Sequence, residues 1–137
     1  MKATSKAAWT GDLKSGYGTF SAMSGVFTNV SYDYRKRFEG EPGTNPEELI
    51  AAAHAACFSM ALAGQLGQRG VSAQSIETYC EVTMENATLV RSLLRSNVSA
   101  PGTDEATIRE AAEAAKEGCP ISKALNLAIE LDLSIEA

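Results

Sequence analysis

At 137 residues and 45% hydrophobic content, with 12 Lys+Arg against 17 Asp+Glu for a formal charge of −5, the chain has the proportions of a globular protein. Such a length buries a substantial core without disulfide or metal staples and is read as one domain, residues 1–137, while the composition excludes disordered and low-complexity classes. The acidic balance disfavours nucleic acid and anionic membrane as partners.

The first residues, Met1-Lys2-Ala3-Thr4-Ser5-Lys6, carry positive charge but no apolar run follows them, so a secretory signal is not expected. The most apolar stretch, flanked by Asn45, Glu47 and Glu48 and by Gln65, Gln68 and Arg69, contains His54 and Gly64 and is not read as spanning a bilayer. Three cysteines at long spacing, Cys57, Cys80 and Cys119, do not form a secreted disulfide framework. A cytoplasmic location follows as the expectation, with the cysteines catalytic, redox-sensing or buried.

Residues 2–10 and 14–22 are β-friendly on either side of Gly11-Asp12, which predicts two antiparallel strands with Trp9, Tyr17 and Phe20 facing a core. A third strand is expected over Val26–Tyr34, followed by Arg35-Lys36-Arg37-Phe38 and the loop Glu39–Gly43. Then comes one long helix from Asn45, which caps it, through Pro46 at the first helical position and Glu48 in a capping box, to an end near Gly70. It is apolar over most of its circumference, so other elements must wrap it, and Cys57 becomes an interior thiol.

Ile76–Met84 alternates as a half-buried strand with Cys80 on the inner face, Glu85-Asn86-Ala87 turns the chain, and Leu89–Val98 returns beside it. A helix from about Glu105 to Lys116 shows Ile108, Ala111, Ala112 and Ala115 on one side. Gly118 ends it, Cys119–Leu125 reads as a short helix, and Ala128–Glu136 as a last alternating strand. The order β-β-β-α-β-β-α-α-β predicts an α+β fold, antiparallel sheets packed on the long helix.

His54 shares a helix face with Cys57, and Glu47, ten residues upstream and about 80° away, lies nearer that side than Glu48 at about 180°. Cys119 precedes a proline at a helix start, where free N–H groups favour thiolate. An apolar helix desolvates the Cys57 anion, so a cation must compensate; Arg35 or Arg37 could supply it, with Glu47 holding the guanidinium in bidentate fashion. Against these stand plainer readings: Cys57 and Cys80 as small core residues, His54 as a hydrogen-bonded helix residue, Glu48 as a cap and Arg35-Lys36 as a solvated strand end. No phosphate loop, dinucleotide fingerprint, C-x-x-C or H-E-x-x-H occurs, and no close ligand pair supports a metal, so neither cofactor nor metal is expected.

Arg37-Phe38-Glu39-Gly40, Thr44-Asn45-Pro46-Glu47-Glu48-Leu49, Ala52-Ala53-His54-Ala55-Ala56-Cys57-Phe58-Ser59-Met60 and Gly118-Cys119-Pro120-Ile121-Ser122 together strongly resemble the OsmC subgroup of the OsmC/Ohr family, the osmotically inducible and organic hydroperoxide resistance proteins. The likeness runs from Trp9-Thr10-Gly11-Asp12 to the last strand. It implies an intertwined homodimer and a thiol peroxidase acting on organic hydroperoxides, and on hydrogen peroxide as well. By the resemblance Cys57 is the peroxidatic thiol and passes through a sulfenic acid, and Cys119 resolves it as a disulfide. Arg37, rather than Arg35, matches the activating arginine, and Glu47 the glutamate that positions it. The implied reductant is a small dithiol or a lipoylated protein; His54 reads as a subgroup marker and Cys80 as structural. Two other activities bear on the same residues: a redox-inert protein holding a hydrophobic ligand on this fold, and a cysteine hydrolase using Cys57 and His54, disfavoured because a base three residues away points parallel to the nucleophile.

Overall fold

The computed structural model describes every residue from Met1 to Ala137, in two compact units, Met1–Leu49 and Ile50–Ala137. The first unit holds an antiparallel sheet of β1 (Ser5–Thr10), β2 (Tyr17–Ala22) and β3 (Val30–Tyr32), in that order, followed by a one-turn helix α1 (Tyr34–Phe38). Between β1 and β2 the Asp12 carboxylate accepts from the Ser15 N–H at 2.7 Å and hydroxyl at 2.6 Å, so residues 14–16 are turn rather than strand. Gly18 makes the sheet possible: a Cβ there would lie 2.5 Å from the Tyr32 ring and 2.7 Å from the Trp9 ring. Those two rings close over it at 5.5 Å, and Phe20 packs against Tyr32 and Phe27 at 5.4 and 5.6 Å.

The expected core anchors are corrected in part. Trp9 and Tyr17 are 39% and 60% exposed and only Phe20 is half-buried, because a three-stranded sheet of this size closes no second layer within its own unit. The third strand is also shorter than expected. Asp33 takes extended backbone and its side chain accepts from the Lys36 N–H at 2.9 Å, capping α1 where a continuing strand was read.

α2 (Pro46–Gln68) begins with Asn45 accepting from the Glu48 N–H at 2.8 Å; Glu48 itself accepts from the Thr44 hydroxyl rather than returning to the Asn45 N–H. Gly70, at φ +74°, ends it, with the Val71 N–H donating to the Leu66 carbonyl. Only His54, Phe58, Leu62 and Leu66 are buried, a single stripe at four-residue spacing. The expectation that other elements wrap this helix does not hold within one chain: Met60 is 79% exposed and Ala52, Ala53, Ala56 and Ala63 face outward. By length and apolarity alone α2 also meets the measure of a membrane-crossing helix.

In the second unit β4 (Ser75–Glu85) and β5 (Thr88–Ser99) form a hairpin whose two turn residues, Asn86 and Ala87, both have positive φ. α3 (Glu105–Gly118), capped by Asp104, and α4 (Pro120–Ala124) then lead to β6 (Ala128–Glu136). β6 pairs with β5 in parallel, so the second sheet is mixed rather than wholly antiparallel; the α3–α4 segment is the crossover that parallel pairing demands. The core joins the α2 stripe to Leu94, Val98 and Ala100 and to Ile108, Ala111, Ala112 and Ala115, the α3 face expected from the sequence. Mixed helices and sheets make the fold α+β, as expected.

Candidate active site

In the first unit α1 presents Arg37 to the first turn of α2. The Arg37 Nη2 donates to Glu47 Oε1 at 2.6 Å, and its Nε lies 3.1 and 3.2 Å from the two carboxylate oxygens. This is a bidentate clamp with the guanidinium plane fixed, and it stacks at 5.1 Å on the Phe38 ring. Arg35 turns away to Glu41 at 3.5 Å and Glu39 at 4.0 Å. Of the two candidate arginines, Arg37 is therefore the one Glu47 holds. Arg37 also borders a cavity of about 330 Å³ walled by Trp9, Leu13, Tyr32, Tyr34 and Phe38, room for an apolar chain beside a cation.

In the second unit Cys57, midway along α2, meets Cys119, which caps the N-terminus of α4. The two thiols hydrogen-bond to one another and share the Ile121 N–H. Burial pushes Cys57 up, and the hydrogen bond with Cys119 pushes it further. Burial acts the same way on Cys119, but the hydrogen bonds with Cys57, with the Ser122 N–H and hydroxyl and with Ile121 outweigh it and draw that thiol down. Of the two thiols Cys119 is drawn down and Cys57 pushed up, and a cation beside Cys57 would favour its thiolate. Cys119 is buried, Cys57 is half-buried, and all three cysteines are free.

His54, one turn before Cys57, lies fully buried between two serines: Nδ1 is 2.7 Å from the Ser92 hydroxyl and Nε2 2.8 Å from that of Ser122. Burial holds it below the usual imidazole range, so it is neutral. Cys80, pushed up chiefly by burial, lies 3.2 Å from the same Ser92 hydroxyl. Sequence reasoning placed His54 and Cys80 but missed Ser92 and Ser122; the one available signal was a serine at an inward position of β5, as Ser92 is. No cluster of three His, Cys, Asp or Glu side chains is arranged to hold a metal ion.

A family model described as OsmC-like protein matches residues 38–134. The chain belongs to the OsmC family. It is 45% identical over 136 residues to Peroxiredoxin OsmC of Escherichia coli (strain K12), covering 96% of this chain and 95% of that one. The organic hydroperoxide resistance protein OhrB of Bacillus subtilis (strain 168), of the related Ohr branch, is 34% identical over 106 residues, 69% of this chain and 73% of that one. The OsmC fold is shared with an OsmC-like protein of Mycoplasma pneumoniae, TM-score 0.77 at 14% identity, covering 100% and 99% of the two chains. The crystal structure of Bacillus subtilis OhrB superposes at TM-score 0.64 with 26% identity, over 97% and 98%. All four motif stretches quoted from the sequence fall within or at the edge of the matched OsmC region.

Proposed function

We propose that this OsmC protein is a cysteine-based peroxidase that reduces organic hydroperoxides, and hydrogen peroxide as well, without metal or cofactor. The carrying observation is the meeting of the Cys57 and Cys119 sulfurs, in a chain nearly half identical to a protein named a peroxiredoxin. The Cys57 thiolate attacks the terminal peroxide oxygen: an S–O bond forms, the O–O bond breaks, and the alkoxide leaves as the alcohol after taking a proton. Cys119 then attacks the sulfenic sulfur, closing the disulfide as the S–O bond breaks and water departs. A dithiol, small or carried as lipoyl on a protein, returns both thiols by exchange and is itself oxidised.

Arg37 is proposed to supply the cation that Cys57 needs, oriented by Glu47. The outward apolar flank of α2 is proposed to be covered by a second copy of the chain rather than by lipid or nucleic acid, making a homodimer. Free cysteines and an acidic surface suit a reducing cytoplasm.

One experiment tests this reading. The purified protein, sized by light scattering without detergent, receives cumene hydroperoxide or hydrogen peroxide with dihydrolipoamide as donor. Twice the 14.5 kDa chain mass and catalytic consumption, faster for the organic peroxide, are expected. A monomer would sink the dimer assignment. No consumption, with the thiols left free, would favour a redox-inert binding protein.

A further inference from the structure

Arg35 and Lys36, both expected at a solvated strand end, part ways in the structure: the Arg35 side chain is 66% exposed and that of Lys36 21%. Lys36 directly precedes Arg37 in α1, and the reaction above gives it no part. From the contacts that cover it we infer that Lys36 is a positioning residue for Arg37: braced between Asp33 and Gly43, it sets the return of the chain so that Glu47 meets the guanidinium. The inference rests on the peroxidase reading only for the step it serves, formation of the Cys57 thiolate.

Every contact of the brace lies within the first unit. On one side Asp33 holds Lys36 twice, its carboxylate accepting from the backbone N–H at 2.9 Å and from the ammonium at 2.7 Å. The Asp33 side chain is itself only 23% exposed, and no other ion pair of the chain has both members so covered. On the other side the backbone comes back over the Lys36 stem at Gly43. A Cβ on residue 43 would lie 2.5 Å from Lys36 Cδ, 2.9 Å from Cε and 3.0 Å from Cγ, and the residue takes φ +150°, so contact and backbone both call for glycine.

The brace governs the route from Arg37 to Glu47. The Arg35 carbonyl accepts from the Glu39 N–H at 2.9 Å and the Glu41 N–H at 3.3 Å, curling the chain back on α1. Gly43 then crosses Lys36, and α2 starts at once: the Thr44 hydroxyl donates to the Glu48 carboxylate and Asn45 accepts from the Glu48 N–H. Glu47 stands in that first turn, so its place beside Arg37 follows from where Gly43 rests on the stem. A lysine stem is flexible, and the Asp33 carboxylate is what holds this one in a single course. Arg35 offers no such support. Its pairs with Glu39 and Glu41, at 4.0 and 3.5 Å, are open to water on both sides and add little.

The test reads Arg37 directly. The 1H–15N signal of its Nε–H, identified as the one missing from Arg37→Gln, faces two carboxylate oxygens at 3.1 and 3.2 Å and should exchange slowly with water. Lys36→Ala is expected to speed that exchange about tenfold, to slow sulfenic acid formation on Cys57 about tenfold at neutral pH, and to raise its pH midpoint, as a misplaced cation would. Lys36→Arg, which keeps a stem and a cation for Asp33, is expected to restore all three. Gly43→Ala, whose methyl must push the stem aside, should resemble Lys36→Ala, and the double variant should exchange no faster than either single one because both break the same contact.

Native exchange and midpoint in Lys36→Ala would overturn the inference, even if the variant unfolds at a lower temperature, since Lys36 would then serve stability alone. Additive effects of the two substitutions would overturn it as well. Exchange is measured without peroxide, so the two readings fail separately. A protein that forms no sulfenic acid refutes the peroxidase, while exchange still decides whether Lys36 sets the clamp; faster exchange with an unchanged midpoint upholds the brace and counts against Arg37 as the cation.

Discussion

Cys57→Ser is expected to abolish hydroperoxide reduction, lowering the rate by at least about 10³-fold, as loss of a nucleophile does elsewhere. Serine keeps the size and hydrogen-bonding capacity of the residue on α2, so the buried stripe of His54, Phe58, Leu62 and Leu66 beside it stays packed and the loss cannot be blamed on folding. The measurement is hydroperoxide consumption with a dithiol donor, alongside thermal unfolding to show that the variant is intact. Cys119→Ser should behave differently: the first equivalent of peroxide is consumed, a trappable sulfenic acid accumulates on Cys57, and no intramolecular disulfide forms. Retained turnover in Cys57→Ser would move the nucleophile to another thiol, and Cys119, which its hydrogen bonds draw down, would be first in line.

Arg37→Gln carries the second large effect. Burial and the hydrogen bond with Cys119 both hold Cys57 up and only the Ile121 N–H works against them, so if Arg37 supplies the proposed cation its removal takes away the main group favouring the anion. The sign is fixed by that balance: the pH at which the first step reaches half its maximum should rise. At neutral pH the rate should fall by about 10²–10³-fold, the range for losing one preorganised electrostatic stabiliser. Glu47→Gln keeps the guanidinium but breaks the 2.6 Å clamp, so a smaller loss with the same direction of shift is expected. The check is the second-order rate of sulfenic acid formation against pH. An unchanged midpoint in Arg37→Gln would remove Arg37 from the chemistry.

Elements whose signals are local were legible in the sequence. The α3 face of Ile108, Ala111, Ala112 and Ala115, the Asn45 cap, the Gly70 stop and the span of β6 all follow from spacing and cap chemistry, and the structure has them in place. α1 was missed because Tyr34 and Phe38 have β-friendly side chains. The helix is decided instead by Asp33, whose carboxylate takes both the Lys36 N–H and, at 2.7 Å, its ammonium. The parallel β6 had a signal, a strand followed by helices and another strand, but alternation alone does not give direction. The outward flank of α2 could not be read from one chain's pattern, since apolar residues mark burial without saying by what.

At the site the same division holds. Glu47, by its helical angle, and Arg37, by the OsmC resemblance, were named before any geometry, and their clamp is present. The two serine contacts of His54 were not, because Ser92 and Ser122 lie 38 and 68 residues from it and meet it only through the fold.

The most direct test is peptide mapping of fully reduced protein after one equivalent of an organic hydroperoxide. Loss of two hydrogens per chain is expected, with a single disulfide joining the Cys57 and Cys119 peptides and Cys80 still open to alkylation. Three alkylatable thiols beside unconsumed hydroperoxide, or a disulfide that includes Cys80, would contradict it.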